Sequence, residues 1–91
     1  MTLGQTIRNL RKERKITQKA LAQFVGISAN ALVGIEKDIS FPTEKNFRKI
    51  CEGIGVSVGS MLISTLTEED VPDYKRKVFR VLVEEIKEFY K

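Results

Sequence analysis

Apolar residues recur along this chain at intervals of three and four, and nowhere do they alternate over the length of a strand. That period predicts helix after helix. Leu3, Ile7 and Leu10 stand at i, i+4 and i+7, with Thr2 as N-cap and Gln5 three residues on as its capping-box partner. Thr17 caps a second helix with Leu21, Ala22 and Val25 as its apolar stripe, and Gly26 suits a left-handed turn after it. Ser28 caps a short third helix whose inward face is expected to be Ala31, Leu32 and Ile35. Pro42 and Thr43 punctuate a loop. Thr43 opens a fourth helix with Phe47, Ile50, Cys51 and Ile54 on one side, ended by Gly53 and Gly55. Ser57 starts a fifth, carrying Val58, Met61 and Leu62. After the polar break TLTEED, Asp70 and Asp73 bracket Val71-Pro72 as a cap and first turn, where proline is tolerated. A longer helix is expected from about Val71 to Tyr90. The fold class is all-α, five short helices and one longer one.

The last helix is apolar over more of its circumference than one contact needs. At 100° per residue, Arg76, Lys77, Arg80, Glu84, Lys87, Glu88 and Lys91 fall within roughly 120°, while the apolar residues from Val78 to Tyr90 fill roughly 200°. A surface helix needs a stripe of only about 100°. The excess predicts two packing surfaces, one on the chain's own domain and one on a second copy. Val78, Phe79, Leu82, Ile86 and Phe89 are the candidate dimerisation contacts. The expected organisation is a domain over 1–65 and a dimerising helix over 66–91.

Composition narrows the chemistry. Ninety-one residues hold one core and no second one. There is no histidine, which excludes imidazole catalysis and His metal ligands, and the single cysteine, Cys51, can form neither an internal disulfide nor a multi-cysteine zinc site. Cys51 lies on the apolar face of helix four and reads as a buried thiol. Glu68, Glu69 and Asp70 read as a solvated acidic run at a helix N-terminus, not a metal cluster. No Gly-rich phosphate loop appears, so no enzyme, cofactor or small-molecule substrate is expected. With no apolar run near the ~20 residues of a membrane span and a polar N-terminus, a cytoplasmic location is expected. Residues 1–65 carry ten Lys/Arg against five acids, whereas 66–91 carry six against seven. The first two-thirds is the part that would attract a polyanion.

The most informative stretch is QKALAQFVGISANALVGIEK, Gln18 to Lys37. Two short helices joined by a glycine-containing turn must cross steeply, and Ala22 supplies the small residue such a crossing needs. Leu32 and Ile35 then face inward, leaving Ala29, Asn30 and Val33 outward. Here the chain resembles the phage-repressor and Cro-like helix-turn-helix family, often called the XRE family. The match covers roughly Leu3 to Leu62. It is carried by LRKERKITQKALAQFVGIS, by Leu32, Ile35 and Glu36, by Pro42, and by CEGIGVSVGSML.

The resemblance implies a five-helix, lambda-repressor-like domain that lays helix three in the major groove of double-stranded DNA. It implies that Gln18 contacts a backbone phosphate, aided by the helix N-terminus that Thr17 caps. It implies that Ser28, Ala29, Asn30 and Val33 meet bases, that Lys37, Asp38 and Ser40 lie along phosphates, and that Arg11 pairs with Glu36. The chain departs from the family at Ala29 and Gly34, where Gln or Arg is common. Only Asn30 can make a bidentate contact, best to adenine, and Asp38 would repel a phosphate. Arg8, Lys12, Arg14 and Lys15 form a basic stripe beside Arg11. The expected function is that of a homodimeric, sequence-specific transcriptional regulator. The alternative is a protein-interaction module on the same fold with weak or lost DNA reading.

Overall fold

A computed structural model of the chain describes residues 2–65 and 76–89; for 76–79, 87 and 89 it describes the backbone alone. These residues form six helices and no strand: α1 Leu3–Glu13, α2 Gln18–Val25, α3 Ala29–Glu36, α4 Glu44–Ile54, α5 Val58–Thr65 and α6 Arg76–Phe89. The all-α expectation holds. The expected start of the last helix at Val71, its Asp70 and Asp73 caps and the Glu68–Asp70 run lie outside the described residues.

The helix starts follow from local chemistry. The side-chain oxygens of Thr2, Thr17, Ser28 and Thr43 each accept the backbone N–H three residues on. Ser57 does the same for Ser60 at the start of α5. Each satisfies one of the donors that a helix leaves open at its start. At Thr2 the capping box is complete, because the Gln5 side chain accepts the Thr2 N–H at 3.0 Å. Gly26 and Gly55 end α2 and α4 at φ +87°, a conformation that costs an L side chain dearly.

The core joins all five N-terminal helices: Ile7 of α1, Leu21, Ala22 and Val25 of α2, Leu32 and Ile35 of α3, Ile50, Cys51 and Ile54 of α4, and Met61 of α5. Helix α2 is the hub, packed on both α3 and α4, while α1 rests on α3, α4 and α5. Helix α6 packs on α5.

Two expected positions are corrected, those of Ala31 and Gly53. Ala31 faces solvent, because α3 buries Leu32, Ile35 and Glu36 at i, i+3 and i+4, and Ala31 lies one step outside that stripe. Leu62 is half exposed beside the buried Met61. Gly53 does not end α4; it lies within the helix, where a Cβ would stand 2.7 Å from Leu21 and 2.8 Å from Phe24. Its missing side chain is what lets α2 lie flat on α4.

Gly4 does the same for α1 and α3. A Cβ there would stand 2.5 Å and 2.6 Å from the carbonyl oxygens of Ile35 and Glu36. Backbone cannot give way as a side-chain tip can, so Gly4→Ala is expected to cost about 1–3 kcal/mol in urea unfolding. Burial pushes the Cys51 thiol up from its ordinary 9.0 to about 11. Below pH 9.0 the thiol is protonated in both folded and unfolded chains, so its contribution to stability is whole there and is lost as pH climbs from 9.0 toward about 11. A thiol reagent at pH 8 is accordingly expected to label Cys51 only after denaturant is added; fast labelling of the native chain would contradict its burial.

Candidate nucleic-acid interface

The site is organised around a charge pair that sits inside the protein. Arg11 Nε donates to Glu36 Oε2 at 2.7 Å and Nη2 donates to Oε1 at 3.1 Å, a bidentate fork. The two residues are 6% and 4% exposed. Arg11 Nη1 donates to the carbonyl of Ile16 at 2.8 Å, made reachable where Lys15 turns the chain at φ +57°. The expected pairing of α1 with the end of α3 is present, and it also clamps the α1–α2 connection.

Gln18, expected at a phosphate, is turned inward by the same carboxylate: its Nε2 donates to Glu36 Oε1 at 3.0 Å. Glu36 therefore accepts three hydrogen bonds from two helices. No buried side-chain polar atom among the described residues lacks a partner. Gln18 is half buried, and together with Arg8, Val33, Glu36 and Lys37 it lines an open concavity where α1, α2 and α3 converge.

Helix α3 presents its first turn to solvent. Ala29 and Asn30 are exposed, Val33 is half buried, and Leu32, Ile35 and Glu36 hold the opposite side in the core. The hydroxyls of Thr17 and Ser28 are committed as caps, accepting from Ala20 and Ala31 at 3.0 Å each. The N–H groups just ahead of those, at Gln18 and Lys19 and at Ala29 and Asn30, have no carbonyl within their own helix to meet. Both helix starts so carry partial positive charge.

In the loop after α3, Lys37 and Ser40 are exposed, as a phosphate-facing role requires. Asp38 behaves otherwise. It adopts φ +60°, and its carboxylate accepts the Thr2 hydroxyl and, at 2.9 Å, the N–H of Gly4. A carboxylate here caps the positive end of α1 and is spoken for. The residue stays exposed and its partners are neutral, so the carboxylate keeps its charge in the loop that was expected along phosphates.

Sequence reasoning missed other features. Arg14, exposed in the basic stripe, also donates its Nη1 to the carbonyls of Ile54 and Gly55 at 2.7 and 2.9 Å and closes the C-terminal end of α4. Ile39 and Phe41 flank Ser40 with 77% and 84% of their surface exposed. The signal for these two was available: two large apolar residues in a polar loop, with no helical period to bury them.

The geometry so defines a helix-turn-helix unit: α2, a glycine turn and α3, braced by α1. Comparison with known proteins agrees. A family model described as Helix-turn-helix matches residues 7–60, more than half the chain, and the chain belongs to that family. It is also 32% identical over 92 residues to a protein named Immunity repressor protein from Bacillus phage phi105, an alignment that takes in all of this chain. The chain spans 64% of that relative's length.

Removing one partner of the Arg11–Glu36 pair should leave a buried charge without its counterion. Glu36→Ala or Arg11→Met is expected to cost about 3–5 kcal/mol in chemical denaturation. The double replacement Arg11→Met with Glu36→Leu should be milder than the sum of the singles. Wild-type stability in Glu36→Ala would sink this account.

Proposed function

We propose that the chain is a DNA-binding transcriptional regulator that acts as a homodimer by occupying duplex DNA, with α3 in the major groove. The observation that carries the reading is the division of α3. Its C-terminal half is fixed in the core by Leu32, Ile35 and Glu36, while Ala29 and Asn30 stand exposed at its start. A helix held at one end and bare at the other is what insertion into a groove requires. Family membership and the phage repressor relative support the same reading.

Within it, the residues divide by task. Lys37, Ser40 and the α2 start at Thr17 and Gln18 face phosphates, and Ser28 stands with the base-facing residues at the α3 start. Gln18 would act there with its free carboxamide hydrogen and its backbone N–H, since its other hydrogen bonds Glu36. Ala29, Asn30 and Val33 face base edges: Asn30 pairs with adenine, and the two apolar residues meet thymine methyl groups. Two bound copies that each neutralise about three phosphates give a slope of log K against log salt near −5. Lys37→Ala is expected to weaken every duplex alike and flatten that slope by about one unit per chain. Asn30→Ala should keep the slope and lose about 1–3 kcal/mol of preference at one base pair per half-site. Salt titrations on a site selected from a random pool and on random duplex decide this; equal loss on both by Asn30→Ala means that Asn30 reads no base.

The second copy is assigned to α6. Val81 and Leu82 are 61% and 54% exposed, while Val83 and Ile86 are half buried. Of the expected contacts, the side chains of Val78, Phe79 and Phe89 lie outside the described residues. The exposed pair supports an apolar surface left over after α6 meets α5, and a two-fold dimer would set two copies of α3 about one DNA turn, ~34 Å, apart. Sedimentation at micromolar concentration is expected to give a dimer, and Leu82→Glu a monomer with unchanged helix content. A wild-type monomer would refute the assignment.

A second reading is a protein-interaction module on this fold. It is favoured by Ile39 and Phe41, whose bare apolar side chains stand beside α3. Failure of the wild type to bind any duplex at about 50 mM salt would put it first.

A further inference from the structure

We propose that Arg8 is a ligand for a DNA phosphate, and that Arg8 and Lys37 are the two cationic walls of a seat for a single backbone phosphodiester. The proposal rests on the reading of the chain as a DNA-binding protein and adds a residue of α1, outside the α2–turn–α3 unit, to the contacts.

The seat is the concavity lined by Arg8, Gln18, Val33, Glu36 and Lys37. Three independent facts give it anion chemistry. First, the arginines of residues 2–65 divide sharply. Arg11 is held by Glu36, Arg14 by the end of α4 and Arg48 by Glu44. Arg8 has no hydrogen bond or ion pair among the described residues, and neither has the Lys37 ammonium. Second, the one acid at the seat is already neutralised. The Glu36 carboxylate is matched by the Arg11 fork, and Gln18 Nε2 occupies a third acceptor position. The remaining charge at the seat is that of Arg8 and Lys37. Third, the walls are preset. Gly4 lets the α1 backbone lie against the carbonyls of Ile35 and Glu36, and Arg11 ties the next turn of α1 to α3. Arg8 stands between those two anchors on the same face, at i+4 from Gly4 and i−3 from Arg11. A guanidinium so placed can fork onto two phosphate oxygens, which a lysine cannot. Lys12 is also exposed on α1 but does not line the seat, so it serves as the control.

The test compares wild type, Arg8→Gln, Arg8→Lys and Lys12→Gln by salt titration on selected and on random duplex, with phosphate-ethylation interference on the selected site. Arg8→Gln is expected to lose the same factor on both duplexes and to flatten the salt slope by about 0.9 per bound chain. Arg8→Lys should keep most of the slope, and Lys12→Gln nearly all of it. In the interference pattern, Arg8→Gln should become indifferent to ethylation at one phosphate per half-site that blocks the wild type. A slope loss no greater than that of Lys12→Gln, or an unchanged interference pattern, overturns the proposal and leaves the DNA reading standing. A wild type that binds neither duplex overturns both. Because Arg8 has no hydrogen bond or ion pair among the described residues, Arg8→Gln is expected to melt with the wild type; a lowered midpoint assigns Arg8 to the fold and overturns the proposal.

Discussion

The buried Arg11–Glu36 fork is the constraint on which the rest of the arrangement depends. Two charges taken out of water are tolerated only if their hydrogen-bonding capacity is filled. Here the filling is done by the parts that must be kept in register: α1 supplies Arg11, the α1–α2 connection supplies the Ile16 carbonyl, α2 supplies Gln18 and α3 supplies Glu36. An apolar contact in the same place could slide. A fork with a third donor on the same carboxylate cannot, because any displacement strands a buried charge. The angle at which α3 leaves the core is thereby tied to α1.

Around that pair the small residues set distance. Gly4 brings α1 onto the end of α3, Gly53 brings α4 onto α2, and Ala22 is buried in α2, the helix packed on both α3 and α4. Two exposed charged residues do part of the same work. Asp38 caps α1 from the loop after α3, and Arg14 caps α4 from the end of α1. The domain so spends two of its conspicuous charges on joining helix ends. Of the other cations, Arg8 and Lys37 line the concavity where α1, α2 and α3 converge.

What a single helix needs was plain in the sequence. The five caps, the capping box at Thr2, the left-handed glycines at 26 and 55 and the apolar stripes of α1, α2 and α4 involve residues at most a few positions apart. Their physics is complete within one turn, so the sequence alone determined them, and with them the all-α class. The Arg11–Glu36 pair spans 25 positions and came from family resemblance, not from any period. The fates of Arg14, Asp38 and Gln18 could not be read in this way. An exposed arginine and one that closes a distant helix are the same letter, and only the packing of α1 against α4 brings the carbonyls of Ile54 and Gly55 within reach. Gly53 reads as a helix stop in the sequence and is a close contact in the fold, because what a missing Cβ permits depends on the neighbour that fills its place. Local sequence determined where the first five helices begin; tertiary structure decided which charged groups join distant parts of the fold and which stay at the surface, since a charge's role is set by what long-range packing puts within about 3 Å of it.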